Sequence, residues 1–182
     1  MGEFVGVIGP NGSGKTTLCR AVLGLMAPLS GHLRIFDCAC GELRCHHRAQ
    51  IGYLPQKGVV DRNFPVTVLE TVMMGRYGHM GMMRIAKAAD REAVTQALAR
   101  VDMSEYRKRQ IGELAGGQKK RVFLARALAQ DGRVILLDEP FTGVDVQTES
   151  AIIDLLRALR SEGHIMLVST HNLGSVPEFC DQ

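Results

Sequence analysis

A glycine-rich stretch near the start of the chain carries the residue types that bind phosphate groups. Residues 9–16, GPNGSGKT, match the pattern G-x-x-x-x-G-K-[ST] in full, between an apolar run and a helical pattern. Lys15 is expected to reach the β and γ phosphates of a nucleotide, and the hydroxyl of Thr16 to coordinate Mg²⁺. A glycine-rich turn that binds nothing is the alternative, and the surrounding pattern argues against it. The candidate phosphate-contacting residues are Gly9, Pro10, Asn11, Gly12, Ser13, Gly14, Lys15, Thr16 and Thr17.

Two adjacent carboxylates follow another apolar run, VILLDEP at 134–140. A lone aspartate at the end of a strand is often only a turn residue. Here it lies on a sheet that also carries a phosphate-binding loop. Asp138 is therefore expected to be a Mg²⁺ ligand, and Glu139 to orient or deprotonate an attacking water.

Polar side chains follow two further strand-like runs. Gln56 comes after YLP, and its neutral side chain could hold Mg²⁺ and water while sensing whether the γ phosphate is present. His171 comes after LVST and is placed to contact the γ phosphate. A histidine at such a position is often structural, so the sequence leaves both roles open for His171.

A second glycine turn opens a helix at ELAGGQKKRVFLARA, residues 113–127. Gly116 and Gly117 allow close approach of the backbone to a ligand, and the helix that they open directs its positive end outward. No lysine lies within this turn, so the residues alone do not explain what it would bind.

The elements that position these residues alternate between strands and helices. Helices are predicted at 15–26 and 118–129, and a further helix, ending at Gly163, follows from the apolar stripe of Ile152, Ile153, Leu155, Leu156 and Leu159. Strands are predicted at 3–8, 32–36, 51–54, 133–138 and 164–170. From Phe64 to about Arg109 strand-like runs disappear, and one helical face collects Ala93, Val94, Ala97, Leu98 and Val101. The pattern predicts an α/β fold with a mostly parallel sheet, helices on both faces and an inserted helical lobe, with ligands at the carboxyl ends of the strands.

Composition narrows the class of protein. The chain has 182 residues and a net charge of +3, which is too small to indicate a nucleic-acid partner. No uninterrupted apolar run approaches the roughly 20 residues needed to span a bilayer. The five cysteines lack a secretory context, so we expect a cytosolic protein with reduced thiols. A role at a membrane would need a partner that supplies the membrane part.

The ordered set of motifs resembles the ATP-binding cassette (ABC) ATPases. It consists of the phosphate-binding loop, Gln56 after YLP, LAGGQ, VILLDEP, TGVD and STH, and it covers nearly the whole chain. The resemblance implies a RecA-like P-loop fold in one domain, 1–182, with a core lobe at 1–63 and 115–182 and a helical lobe at about 64–114. It also implies ATP and Mg²⁺ as ligands, with Thr16, Gln56 and Asp138 at the metal and Glu139, His171 and Gln56 in catalysis.

The resemblance explains the second glycine turn. In this family two subunits pack head to tail, and each ATP lies between the phosphate-binding loop of one and the SGGQ-type turn of the other. The turn formed by Ala115, Gly116, Gly117 and Gln118 would therefore serve the partner's ATP. Asp145, in TGVD, would lie at the same dimer seam.

A closer resemblance is to the ATPase subunits of bacterial importers for manganese, zinc or iron, through FPVTVLETVMMGRYGHM, EPFTGVDVQTE and LVSTHNLGSVPEFCD. It implies a subunit on the inner face of the plasma membrane that hydrolyses ATP to drive a permease. The partners would be a second copy or another ABC ATPase subunit, the permease and, indirectly, a metal-binding extracytoplasmic protein, with no nucleic acid. A non-transport ABC ATPase and a nucleotide-binding remnant without turnover are the alternatives.

Three departures from the family pattern bear on activity. The chain begins on the phosphate-loop strand, without the earlier strands that carry an aromatic residue for adenine, and Phe4 lies within that strand. It stops at Gln182, soon after the last motif, and Ala115 replaces the usual serine of the signature turn. These departures predict a shortened protein with impaired ATP turnover.

Two side-chain clusters invite other interpretations. Cys38, Cys40, Cys45, His46 and His47 match no standard zinc spacing, so we expect no metal site there. Met73, Met74, Met80, Met82 and Met83 either fill the core or form an adaptable groove for a permease helix, and the sequence does not decide between the two.

Overall fold

The computed structural model describes residues 2–39, 42–43, 45–56 and 65–171. In this part of the chain a parallel sheet of four strands organises the fold. The strands are β1 (Glu3–Ile8), β4 (Ile51–Leu54), β5 (Val134–Asp138) and β6 (Ile165–Thr170). Their spatial order is β1-β6-β5-β4. The register pairs Ile8 with Thr170 and Asp138 with Ser169, so these strands end at the same edge of the sheet. The predicted parallel sheet is confirmed.

The predicted strand at 32–36 is shorter than expected. Only Arg34–Ile35 (β2) is extended, and it pairs antiparallel with Cys38–Ala39 (β3). Phe36 and Asp37 have left-handed backbone angles, with φ of 50° and 62°. Two successive left-handed residues form a tight hairpin turn, which reverses the chain where an apolar run predicted a continuing strand.

Apolar side chains cover both faces of the sheet. Along β5, Ile135 and Leu137 belong to the main core, and Leu136, which points to the opposite face, is equally buried. A strand buried on both faces explains why VILLD is apolar without alternation. Phe4 is fully buried in the same core, so its ring is not available to stack on a nucleotide base.

The core helices are α1 (Lys15–Val22), α5 (Gly116–Ala129) and α6 (Val146–Ser161), with a short α2 (Cys45–Arg48) before β4. Helix α1 ends four positions before the predicted end at residue 26. Gly24 adopts a left-handed φ of 66° and its N–H bonds to the carbonyl of Ala21. A left-handed glycine at this position is a common helix stop.

The described segment between β4 and α5, residues 65–115, is mainly helical, as predicted. It contains α3 (Val68–Met73), α4 (Ala88–Arg100) and single 3₁₀ turns at Met74–Arg76, Ser104–Tyr106 and Ile111–Glu113. Thr67 begins α3 in a capping box with Glu70. The predicted face of α4 is buried at Val94, Ala97, Leu98 and Val101, whereas Ala93 is only partly covered. Phe64, where we expected this lobe to begin, lies outside the described residues.

The methionines of this region divide between the two interpretations. Met73 and Met74 pack against the core, whereas Met82 and Met83 are exposed and Met80 is partly covered. Among the residues that the structure describes, no helix is long and apolar enough to cross a membrane.

Helix α5 packs closely on β4 because Gly52 has no side chain. A Cβ atom at this position would lie 2.7 Å from the carbonyl oxygen of Ala127, which is too close. We expect Gly52→Ala to lower the free energy of unfolding by about 1–3 kcal/mol, as overpacked cores do. Urea unfolding followed by circular dichroism measures this. Gly81→Ala is the matched control, because a Cβ there meets no atom within 4 Å. Its free energy of unfolding should change by less than about 1 kcal/mol, and equal losses in the two variants would contradict the close packing.

Candidate nucleotide-binding site

The loop after β1 and the ends of β4 and β5 together form a pocket of about 170 Å³. Its lining residues are Asn11, Gly12, Gly14, Lys15, Thr16, Thr17, Gln56 and Glu139. Parallel strands place their carboxyl ends along one edge, which is where open α/β sheets bind ligands. The sheet therefore brings together residues that lie far apart in the sequence.

The loop between β1 and α1 has the backbone shape of an anion cradle. Gly12 and Gly14 have φ of 85° and 94°, a region that only glycine adopts without strain. Lys15 lies folded under the loop, and its Nζ donates to the carbonyl oxygens of Gly9 at 2.6 Å and Pro10 at 3.0 Å. The loop, the lysine and the first turn of α1 thus surround one small volume suited to phosphate.

Asp138 links three elements at the base of the pocket. The hydroxyl of Thr16, on α1, donates to Oδ2 at 2.7 Å, and the hydroxyl of Ser169, on β6, donates to Oδ1 at 2.6 Å. The carboxylate is completely buried. A hydroxyl and a carboxylate side by side are hard oxygen donors of the kind that Mg²⁺ prefers, so these residues fit the expected metal.

Glu139 is buried and held in a strained conformation. Its φ of 52° is unusual for a residue with a side chain. Oε2 lies 2.7 Å from Nδ1 of His171 and accepts from the hydroxyl of Thr142 at 3.1 Å. Among the described residues, Oε1 has no hydrogen-bond partner, although Nζ of Lys15 lies 3.5 Å away. One carboxylate oxygen is therefore fixed by hydrogen bonds, and the other is buried beside the ammonium of Lys15 without accepting a hydrogen bond from the described residues.

Gln56 is placed at the rim of the same pocket. It follows β4 by two positions and is exposed, facing the loop residues that line the other side. The structure thus brings Gln56, Asp138, Glu139 and His171 to the edge that carries the phosphate-binding loop.

The second glycine turn lies at the surface. Ala115 and Gly116 are exposed, and Gly117 and Gln118 are half-buried at the start of α5. Only half of a capping box is made there: Oε1 of Gln118 accepts from the N–H of Ala115 at 3.1 Å, but Ala115 has no side-chain oxygen with which to accept in return. The turn is thus accessible to a ligand from outside the chain.

Asp145 lies beside this turn and caps α6. Its Oδ1 accepts from the N–H of Thr148 at 2.8 Å, and its Oδ2 accepts from the Thr148 hydroxyl at 2.9 Å. These bonds lower the pKa of Asp145 and keep it charged. A Cβ on Gly117 would lie 3.7 Å from Oδ2 of Asp145, so the residue predicted for a dimer seam adjoins the exposed turn.

Several residues that bond to Asp138 or Glu139 could not be identified from the sequence patterns. Ser169 bonds to Asp138, and both its hydroxyl and its carbonyl oxygen accept from the N–H of Glu139, each at 3.1 Å. Thr142 and Lys120 bond to Glu139 as well. Ser169 lies within the STH motif, which could have indicated a role. Lys120 has no such signal, because it lies on helix α5, whereas Glu139 follows strand β5.

Part of the cysteine and histidine cluster lies in the described residues. Sγ of Cys38 lies 3.5 Å from Nε2 of His47, and the rings of His46 and His47 are tilted against each other. Within the part of the chain that the structure describes, no three or more His, Cys, Asp or Glu side chains are grouped so that they could hold a metal. Cys40 and the side chain of Cys45 lie outside that part, so the expectation of no metal site here stays a prediction.

A strand, a glycine loop with a buried lysine, and a carboxylate pair at the end of another parallel strand of the same sheet define the class of P-loop nucleotide-binding domains. Residues 1–142 match the family described as ABC transporter. The chain belongs to the ABC transporter family of ATP-binding proteins.

Curated relatives are metal-transport proteins. The chain is 55% identical over 180 residues to the manganese transport system ATP-binding protein MntA of Synechocystis, covering 99% of this chain and 68% of that protein. It is also 55% identical over 180 residues to the chelated iron transport system membrane protein YfeB of Yersinia pestis, covering 99% and 60%. The chain thus spans about 60 to 68% of the length of these two relatives.

Two solved structures that resemble this chain are also described as ABC transporter proteins. A metal-chelate type ABC transporter in an inward-facing conformation superimposes with a TM-score of 0.85 at 29% identity, over 98% of this chain and 66% of that one. A dimeric bacterial ABC transporter cassette superimposes with a TM-score of 0.81 at 30% identity, over 94% and 75%. The predicted family and fold class are confirmed.

The bond between Ser169 and Asp138 is expected to stabilise the site as well as shape it. Ser169→Ala would leave Oδ1 of a buried carboxylate without its donor, and hydrogen bonds to charged groups contribute about 1.5–3 kcal/mol. We expect a loss of that size in the free energy of unfolding, measured by urea titration at pH 7. Ser161→Ala is the control, because that hydroxyl bonds to an exposed helix carbonyl. Equal effects in the two variants would contradict the role of Ser169.

Proposed function

We propose that this chain binds ATP with Mg²⁺ and hydrolyses it as the motor subunit of an importer for divalent metal cations. The proposal is supported mainly by the carboxylate of Glu139, which is buried and fixed through Oε2, while Oε1 accepts no hydrogen bond from the described residues and lies 3.5 Å from the lysine of the phosphate-binding loop. A carboxylate in this state can accept a proton from water or orient it, which is what hydrolysis of a phosphoanhydride requires.

The nucleotide would be held mainly by the loop between β1 and α1. Backbone N–H groups of residues 12–17 provide donors for the phosphate oxygens, and Lys15 adds a positive charge. Thr16, Asp138 and Gln56 would hold Mg²⁺, which supplies charge neutralisation at the phosphates when bound. The existing bond between Thr16 and Asp138 already places the first two of these oxygen donors next to each other.

His171 and Glu139 would act together at the γ phosphate. This proposal is supported by the distance of 2.7 Å between Nδ1 of His171 and Oε2 of Glu139, whose side chain lines the pocket. With Oε2 engaged by His171 and Thr142, the proton of the attacking water would pass to Oε1. Gln56, at the opposite rim, would position that water and sense the γ phosphate.

A second ATPase subunit would complete each site. The turn formed by Ala115, Gly116, Gly117 and Gln118 is exposed at its first two residues and adjoins Asp145, so a facing subunit could reach both. The N-terminus of α5 would contribute donors to the γ phosphate bound by the partner. Support for this arrangement comes from the similar cassette that is described as dimeric. The partner would be a second copy or another ABC ATPase subunit.

Transport is supported by the relatives, whose names give manganese and chelated iron transport systems. We infer a cytoplasmic subunit on the inner face of the plasma membrane that drives a permease, with a metal-binding extracytoplasmic protein as an indirect partner. Recovery of the chain in the membrane fraction only when the permease is co-expressed would support this. Equal recovery without the permease would argue for a non-transport ATPase.

The role of Glu139 gives the sharpest test of activity. Glu139→Gln keeps the shape of the side chain but removes the base, so the rate of phosphate release should fall by at least about a hundredfold. ATP binding should persist, and an ATP-bound dimer should accumulate, detected by size-exclusion chromatography with light scattering.

Glu105→Gln, an exposed change in a 3₁₀ turn, is the control and should behave as the unaltered chain. Hydrolysis by Glu139→Gln at the unaltered rate would contradict the assigned base. An unaltered chain that binds ATP but neither hydrolyses it nor dimerises would identify a nucleotide-binding remnant.

Ala115 offers a second test, because it is an N-cap residue without a side-chain acceptor. Ala115→Ser would cap α5 and should raise the free energy of unfolding by about 1 kcal/mol. The new hydroxyl should also donate to the partner's γ phosphate and increase ATP turnover, measured as phosphate release. Ala99→Ser, on the exposed face of α4, is the control and should cost up to about 0.7 kcal/mol. Unchanged turnover in Ala115→Ser would contradict the expectation that Ala115 limits activity.

A further inference from the structure

The backbone of Glu139 is held by a side chain that the catalytic proposal does not use. Nζ of Lys120, on α5, donates to the carbonyl oxygen of Glu139 at 2.7 Å. The N–H of Thr142 reaches the same oxygen at 3.4 Å, a longer and weaker contact. Lys120 is thus the main donor on the carbonyl side of a residue whose N–H is fixed by Ser169 on β6.

This contact matters because Glu139 has a left-handed φ of 52°. A residue with a side chain remains in that region only when its surroundings hold it there. The direction of the carboxylate depends on the backbone angles, since the Cβ atom leaves from the same Cα. A change in the carbonyl contact would therefore turn Oε1 away from the pocket.

A lysine at position 120 stabilises the fold less than a purely structural contact would require. The side chain of Lys120 is half-buried, and burial lowers the pKa of its ammonium, while the nearby carboxylates of Asp138 and Glu139 oppose that decrease. A buried charge is costly unless it is well paired, and an apolar side chain of similar length would stabilise the fold at least as well. The presence of a lysine at this position is consistent with a role in the site.

Lys120 also lies one helical turn from the exposed glycine turn. It follows Gly116 by four positions, and one turn of an α-helix rises about 5.4 Å. A displacement of the turn would move Lys120 with it, because α5 is a continuous helix from Gly116 to Ala129.

We propose that Lys120 is a positioning residue that fixes the carboxylate of Glu139 through its backbone carbonyl and links it mechanically to the turn at Ala115–Gly117. The role in turnover rests on the proposed ATPase function, whereas the contact itself does not. The link would make hydrolysis at this subunit's own nucleotide depend on what the turn binds.

Lys120→Met tests the proposal, since methionine fills similar space without a donor. Deuterium exchange of peptides that cover 134–142, measured by mass spectrometry without nucleotide, should become faster. The kcat for ATP should fall about tenfold to a hundredfold, as small displacements of catalytic groups do, while the KM for ATP stays within about twofold. Lys120→Gln, which can still donate an N–H, should recover part of both.

Lys119→Met is the matched control. It removes the same charge from the neighbouring position, but Nζ of Lys119 donates to the carbonyl of Gly112 instead. Its exchange at 134–142 and its kcat should equal those of the unaltered chain. Unchanged exchange in Lys120→Met, or equal effects of the two methionine variants, would overturn the proposal. If the unaltered chain hydrolyses no ATP, the proposed function fails, and the exchange comparison still decides whether Lys120 holds Glu139.

Discussion

The carboxylate of Asp138 is the contact on which the site depends. It accepts hydroxyl hydrogen bonds from α1 at 2.7 Å and from β6 at 2.6 Å while it ends β5 itself. A buried carboxylate is costly unless it is well bonded, so both hydroxyls are needed where they are. Their presence fixes the first turn of α1, and hence the phosphate-binding loop, against the strand that carries Glu139. Burial and, to a smaller extent, the charge of Asp138 raise the pKa of Cys19 to about 12 and keep that thiol protonated.

Glu139 shows how the fold concentrates strain at one residue. Its backbone N–H is bonded to β6, its carbonyl to α5 and its Oε2 to the turn that follows. Each partner comes from a different element, so none of them alone fixes the conformation. Strain of this kind is usual where a side chain must be ready for chemistry before the ligand arrives. The conformation is therefore better understood as preparation of the site than as a packing defect.

The sequence predicts the features that are local. The glycine loop, the apolar strands and the helical face of α4 are each visible in a short window, and the structure contains them. The early end of α1 at Gly24 and the hairpin at Phe36 and Asp37 depend on backbone angles, which apolar patterns do not encode. The network around the carboxylates could not be predicted, because the bond between Thr16 and Asp138 spans 122 positions and that between Ser169 and Asp138 spans 31. Only the family resemblance pointed to the exposed turn as a site for a partner.

Helix α5 is the element that connects these features. At its start lies the exposed turn, and in its second turn Lys120 bonds to Glu139 while Arg121 donates to the hydroxyl of Thr148 at 3.0 Å on α6. At its end the carbonyl of Ala129 accepts from Arg76 at 2.9 Å, which joins it to the helical region. Fourteen residues at 1.5 Å each give about 21 Å, so one helix joins the exposed turn, the backbone of Glu139 and the helical region. Binding of a ligand at the turn and displacement of the helical region would then both act on Glu139 through the same helix, because α5 is continuous from Gly116 to Ala129.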